Sequence, residues 1–281
     1  MPQPDRLLNT LRQAARAFRQ TPHRVGRLVR LPAGAEVLVA GDMHGSVENF
    51  RLLLRRADLA GHPNRHLVLQ EVVHGPFRYP EGGDKSHQLL DLVAALKCQF
   101  PDRVHFLLGN HELAQWQGQI IAKGYETQND LFERGVENAY ADWAPQVLAA
   151  YNELFAAVDL ALVTANRVWL SHSLPSSRRG GTFGLADVQR DEPRPEDLEL
   201  GGAIHALVWG RDVSEANAAA FLARVDADLL ITGHIPCEEG YMTPNARQLI
   251  LDAMRTPACF CLFPTDRPVA LADLVAGIGV L

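Results

Sequence analysis

No apolar run in the sequence approaches the roughly 18–20 residues needed to cross a bilayer, so a soluble protein without a membrane span is expected. Cysteine is scarce. Cys98, Cys237, Cys259 and Cys261 form no CxxC pair and no dense framework, which excludes a disulfide scaffold and fits a reducing, cytoplasmic compartment. Net positive charge is missing too: the formal charge of -6 argues against non-specific nucleic-acid binding by the whole molecule. Repeats and low-complexity tracts are absent. What is present is a chain of 281 residues, 47% of them hydrophobic, ample for a sizeable core.

The charge is unevenly spread. Residues 1–30 carry Arg6, Arg12, Arg16, Arg19, Arg24, Arg27 and Arg30 against Asp5, with Leu7, Leu8, Leu11, Ala14, Ala15 and Phe18 at roughly helical spacing. This reads as a basic helical arm over 1–35, a surface or docking helix, followed by one domain over 36–281. A targeting or membrane-surface helix is the alternative, weakened by the short apolar face and the lack of a signal-peptide hydrophobic stretch.

From residue 36 onward, short apolar runs end abruptly in polar residues: VLVAGDMHG, HLVLQEVVHG, VHFLLGNHE, VWLSHSLP and LLITGHIP. Such runs read as strands buried on both faces. Helix-like segments over 46–57 and 85–98 separate them, each beginning near Ser or Asp as a cap. The pattern is α/β, in which reactive groups collect beyond strand ends, so five tips bearing Asp, His, Glu or Asn imply one shared site. Residues 113–157 read as a longer helical region beside its mouth, and 176–202 as a surface loop or lid. RQLILDA and CFCLF read as two further strands, the latter with Cys259 and Cys261 facing one side as core residues.

Asp42 and His44, one residue apart between Gly41 and Gly45, suit a tight loop aiming a carboxylate and an imidazole at one cation of the Mn, Fe or Zn kind. Asn110 can offer a carbonyl oxygen to a metal or a phosphate, and the adjacent His111 can donate a proton. His172 and His234 close two further strands as neutral-imidazole ligands, each needing an acceptor for its other ring nitrogen. Singly, each histidine has an ordinary structural explanation. Together, at successive strand ends, they do not.

GDMHG at 41–45, GNHE at 109–112, SHSLP at 171–175 and TGHIP at 232–236 resemble, in order, the motifs of calcineurin-like metallophosphoesterases. The form is that of the phosphoprotein phosphatase branch and its bacterial diadenosine-tetraphosphatase-like relatives. The resemblance implies a two-sheet α/β sandwich flanked by helices, with two divalent transition-metal ions (Mn, Fe or Zn) at the strand ends. It assigns Asp42 and His44 to one ion, Asn110, His172 and His234 to the other, and the general acid to His111. The family's GDxxD run is altered. Gln70, Glu71, Val72, Val73 and His74 stand there, so Glu71 occupies the bridging position and His74 that of the carboxylate pairing with the catalytic histidine.

By the same resemblance Arg211, in WGRD, is the first candidate for binding the phosphoryl oxygens, with Arg78, Arg178 and Arg179 behind it. The expected activity is hydrolysis of phosphomonoesters, with a phosphorylated protein or nucleotide as partner and no nucleic acid. Serine/threonine protein phosphatase is the leading reading. A dinucleoside polyphosphate hydrolase, or a metal- or phosphate-binding scaffold degraded at Glu71 and His74, are the alternatives. Cys237, near His234, reads as a loop thiol.

Overall fold

The computed structural model describes residues 3–123, 126–176 and 183–281. Two sheets form its centre. The larger runs in the order Arg24–Val25, Leu28–Leu31, Ala161–Thr164, Val168–Ser171, Leu229–Thr232, Gln248–Leu251, Tyr241–Asn245. The smaller runs Ile278–Val280, Cys259–Pro264, Glu36–Asp42, Arg65–Gln70, Val104–Leu107. The strands that carry motifs are parallel within each sheet, so their carboxyl ends share one edge.

Strand alternation explains the near-continuous apolar runs. Val37, Val39, Val68 and Leu107 of the smaller sheet meet Leu162, Leu170, Ile231 and Leu249 of the larger one, together with Cys259 and Cys261. The intervening Leu38, Ala40, Leu67, Leu69, Phe106, Trp169 and Leu230 join the cluster formed with the helices. Each motif-bearing strand is therefore covered on both faces, and its sequence has no polar side to show. The result is the two-sheet α/β sandwich flanked by helices.

The helix Pro4–Arg19 turns its apolar stripe inward: Leu7, Leu8, Leu11, Ala14, Ala15 and Phe18 are buried, and the helix packs on His87–Gln99 and Ala144–Ala157. Two of the N-terminal arginines are interior. Arg27 donates to the carbonyls of Val158 (2.8 Å) and Phe155 (2.9 Å), and Arg24 to the Ala157 carbonyl (2.9 Å) and Asp159 (3.0 Å). Both satisfy the last carbonyls of Ala144–Ala157, where a cation also complements the helix dipole.

The 113–157 region resolves into Asn110–Gln117, Gln128–Tyr140 and Ala144–Ala157. In 176–202 the described residues include two short helices, Leu185–Val188 and Pro195–Leu198. Ser46 caps Val47–Ala57 by accepting from the Asn49 amide (3.3 Å), as expected. Ser86 does not cap His87–Gln99: its hydroxyl accepts from the His74 amide (3.0 Å) and donates to Asp84 (2.9 Å). Among the described residues no helix is long and apolar enough to cross a membrane.

Candidate metal centre

Asp42 ends its strand, and Glu71, Asn110, His172 and His234 follow the ends of four others. Several of these residues sit where the chain turns sharply: His44, Glu71, His74 and His234 have φ of 39°, 45°, 59° and 68°. Left-handed backbone at non-glycine residues is unfavourable and persists only where surrounding contacts enforce it. Those contacts are present. The buried Glu112 accepts from the amides of Val72 (2.8 Å) and Val73 (3.0 Å) with one oxygen and from Gly109 (3.1 Å) with the other. The Glu71 carbonyl accepts from Met43 (2.9 Å) and His44 (3.0 Å). Thus the Glu of GNHE ties the altered 70–74 turn to its own loop, and the Glu71 carbonyl ties that turn to the first loop.

Two motif glycines are required by close approach. A Cβ on Gly109 would lie 2.2 Å from Glu71 Oε2, and one on Gly233 would lie 2.1 Å from Asp42 Oδ1. Bare backbone is the only wall that lets these carboxylates reach the centre.

There Asn110 Oδ1 lies 2.9 Å from His172 Nε2 and 2.8 Å from His234 Nδ1. Glu71 Oε2 is 2.7 Å from His172 Nε2, yet this fully buried oxygen has no hydrogen bond. His172 directs its other nitrogen to Gln70 Oε1 (3.3 Å), and His44 directs Nδ1 to the Val73 carbonyl (3.0 Å). Both rings therefore have the outer acceptor that ligand histidines use to present the opposite nitrogen. Among the described residues two groups of carboxylate and imidazole atoms lie within 4.8 Å of one another, His44–Glu71–His111 and Asp42–Glu71–His172, and His234 is in neither. Glu71 belongs to both.

The electrostatics are those of a site built for cations. Burial pushes the Glu71 carboxyl up to about 8 despite the backbone amides of His111 and Asn110. Asp42 is raised to about 7 by burial, opposed by His172 and reinforced by Glu71. Burial holds His172 below the ordinary imidazole range and His234 well below it. Carboxylates this costly to ionise, beside neutral imidazoles and an orphaned oxygen, need positive charge. The donors, mixed oxygen and nitrogen, fit divalent transition metals.

His111 lines the same pocket of about 340 Å³, with His44, His74, Gly75, Arg78 and Arg255 among its walls. His111 Nδ1 lies 3.0 Å from His74 Nδ1, and its Nε2 lies 3.9 Å from Glu71. Asp84 is buried and holds the Ser86 amide (2.8 Å) and hydroxyl, and through the Ser86 hydroxyl the turn at His74. Arg78 donates to the Gly75 carbonyl and lies 3.4 Å from Asp84. Arg211 is exposed, and its charge reaches Glu71, His172 and His234; the Ser173 hydroxyl donates to the Gly210 carbonyl and so fixes its segment beside His172. Arg178 and Arg179 lie outside the described residues. The Cys237 thiol donates to the Ile235 carbonyl (3.3 Å).

Sequence reasoning missed four residues here. Gln70 and Gln115 act through other side chains. Arg255 lines the pocket from the 252–258 turn, which Asp252 braces by accepting from Met254 (2.9 Å) and Cys237 (3.2 Å). The LILDA run already put Asp252 at a strand end, Gln70 opens the altered 70–74 run and Gln115 follows His111 by one helical turn; Arg255 carries no local signal.

Two stacked sheets that bring carboxylate, imidazole and amide side chains together at one strand edge make a candidate metal centre. A family model described as calcineurin-like phosphoesterase matches residues 35–238, and the chain belongs to that family. A probable serine/threonine-protein phosphatase of Encephalitozoon cuniculi is 24% identical over 239 residues, covering 79% of this chain and 47% of that protein. Serine/threonine-protein phosphatase 5 of Arabidopsis thaliana is 23% identical over 246 residues, covering 79% of this chain and 40% of the relative. The chain thus spans less than half the length of these curated relatives. Among solved structures, a Saccharomyces cerevisiae protein serine/threonine phosphatase superposes with a TM-score of 0.69 at 17% identity, over 92% of this chain and 82% of the other. A cold-active protein-tyrosine phosphatase of Shewanella gives 0.58 at 14% identity, over 85% and 78%. These two show likeness of fold.

Proposed function

We propose that the chain hydrolyses phosphomonoesters, with phosphoserine or phosphothreonine in proteins as the leading substrate class, using two divalent transition-metal ions. The observation that carries this reading is the run of ligand-type atoms from His234 Nδ1 through Asn110 Oδ1 to His172 Nε2, which ends beside the orphaned Glu71 Oε2. By the resemblance Asp42 and His44 would hold one ion and Asn110, His172 and His234 the other, with Glu71 shared, whereas by proximity alone Asp42 groups with His172 and His44 with His111. Bound cations of this kind lower the pKa of water and neutralise charge on phosphoryl oxygens.

The chain's own residues supply the rest. Asn110, Arg211 and Arg78 orient the phosphoryl group, and the guanidinium forks match its spreading charge. His111 presents Nε2 to the leaving oxygen while Nδ1 stays on His74. In the free protein His111 is held well below its ordinary value, by burial first and then by His44, His74, His172 and His234. A bound phosphate dianion brings the negative charge that raises it, so the acid is charged when substrate is present.

Arg78 and Arg255 on the pocket wall favour one second reading, a substrate with further phosphates such as a dinucleoside polyphosphate. The test is a panel of phosphoserine and phosphothreonine peptides, p-nitrophenyl phosphate and diadenosine tetraphosphate, each with Mn, Fe, Zn and Mg. Phosphopeptide turnover supports the leading reading, and preference for the polyphosphate supports the second. Binding of two metals with no turnover leaves a phosphate-binding scaffold.

A further inference from the structure

A histidine at position 74 raises a question of proton placement that a carboxylate would not. A carboxylate only accepts, whereas a neutral imidazole accepts at one nitrogen and donates at the other, and the two tautomers reverse those roles. With the proton on His74 Nδ1, His111 would have to offer a bare Nδ1 in return. Something must choose.

The choice can be followed inward from the surface. Glu133, exposed on Gln128–Tyr140, accepts from Gln115 Nε2 at 3.2 Å. An amide nitrogen donates and a carboxylate oxygen accepts, so this contact fixes the orientation of the Gln115 amide and turns Oε1 inward. Gln115 Oε1 lies 2.9 Å from His74 Nε2. An amide oxygen only accepts, so His74 carries its proton on Nε2 and leaves Nδ1 bare. His74 Nδ1, 3.0 Å from His111 Nδ1, then accepts from it. The second proton of His111 falls on Nε2, facing Glu71 and the pocket.

Packing keeps the chain of contacts in line. His74 is 5% exposed and Gln115 8%, so water does not compete freely for either side chain. Phe132 packs edge-on against the His74 ring at 5.8 Å between centroids. Gln115 follows His111 by four residues on the same helix, which puts both on one face.

From this geometry we infer that Gln115 and Glu133 are positioning residues, which fix the tautomer of His74 and thereby direct the acidic proton of His111 into the pocket. Gln115 and Glu133 thus act on the site without themselves lining the pocket. The inference rests on the phosphoesterase reading for its kinetic consequences but not for the tautomer itself.

The experiment uses the full chain loaded with zinc, a closed-shell ion without redox chemistry. Nitrogen-15 NMR of histidine-labelled protein reads which ring nitrogen of His74 is protonated, its signals assigned with His74→Asn. The expected state is Nε2–H in wild type and a tautomer mixture in Gln115→Leu. Kinetically, Gln115→Leu should lower kcat about 2- to 10-fold on an alkyl phosphate with KM little changed, the size of one net hydrogen bond. The loss should shrink on p-nitrophenyl phosphate, whose leaving group needs no proton, and should vanish in a His111→Ala background. Glu133→Ala, at an exposed position that leaves folding intact, should give a smaller loss of the same kind, and Glu133→Gln, which keeps an acceptor, should recover most of it.

Nδ1–H on His74 in wild type would overturn the inference. So would a Gln115→Leu defect that is equal on both leaving groups, or one that adds to that of His111→Ala. If no phosphoester is turned over at all, the phosphoesterase reading fails, and the nitrogen spectra still decide the tautomer.

Discussion

Glu71 Oε2 lies 2.7 Å from His172 Nε2 without hydrogen-bonding to it or to any other group. Its partner oxygen accepts from the His111 amide at 3.0 Å. A buried carboxylate with one oxygen anchored and the other bare is poised for a cation, and its presence in both groups of ligand-type atoms makes it the shared ligand in the proposed site. Glu71→Gln removes the negative charge between two positive ions, so one metal per chain is expected to be lost together with activity. Glu71→Asp keeps the charge but falls short by a methylene, and should keep metal with altered preference among Mn, Fe and Zn. Elemental analysis of the purified variants checks both, and unchanged metal content in Glu71→Gln would remove Glu71 from the site.

His111 and His172 face the same centre with different expected duties. Loss of a general acid lowers turnover by roughly 10²–10⁴-fold. His111→Ala is therefore expected to show that loss with metal content nearly intact, and the deficit should narrow on p-nitrophenyl phosphate. His172→Ala should lose metal, because it removes a nitrogen that converges with Asn110 and His234. Indistinguishable metal contents would mean that the two roles are assigned wrongly.

Metal-induced stabilisation should depend on pH in a defined direction. Asp42 and Glu71 are raised to about 7 and about 8, chiefly by burial, so ionising them in the metal-free fold is harder than in the unfolded chain. Their contribution favours the fold at low pH and is lost as pH rises from the ordinary carboxylate range, about 4, through those values. Metal binds the ionised forms and must displace their protons at lower pH. His172 and His234, held down by burial, are already neutral over the same range and release none. The rise in Tm on adding zinc should therefore grow between about pH 6 and pH 8.5, as proton competition fades. A rise that is flat or falls with pH would contradict it.

The pairing of His111 with His74 predicts a shift on substitution. His74 is itself held at about 4 by burial, so it gives His111 no negative charge, and His111 lies well below its ordinary value. His74→Asp places a carboxylate beside the imidazolium and raises the pKa of His111. Because the acid works only while protonated, the alkaline limb of the pH–rate profile should move to higher pH. A pH series of kcat on an alkyl phosphate checks this, and a shift to lower pH would count against His111 as the acid.

Much of this was legible in the chain. The apolar runs ending in GDMHG, GNHE, SHSLP and TGHIP located strands and strand ends, because a strand covered on both faces must be apolar until it reaches the edge where the site begins. The helical spacing of Leu7, Leu8, Leu11, Ala14, Ala15 and Phe18 marked a buried stripe on Pro4–Arg19, since that period follows from the helix itself. Motif order brought Asp42, His44, Glu71, Asn110, His111, His172 and His234 to consideration together, though they span nearly two hundred residues.

Tertiary structure decided the contacts that have no local period. The two-residue strand Arg24–Val25 and the four-residue strand Leu28–Leu31 are too short to declare themselves, and they exist because the edge of the larger sheet receives them. Arg24 and Arg27, indistinguishable in sequence from solvated arginines, became caps for a helix that ends more than a hundred residues later. Gln115 follows His111 by one helical turn, but Glu133 joins that neighbourhood only because the fold brings Gln128–Tyr140 within hydrogen-bond reach of the Gln115 amide. A hydrogen bond depends on where two atoms lie, and for atoms on different elements that is fixed by how the elements pack, which the spacing of residues along one segment does not encode.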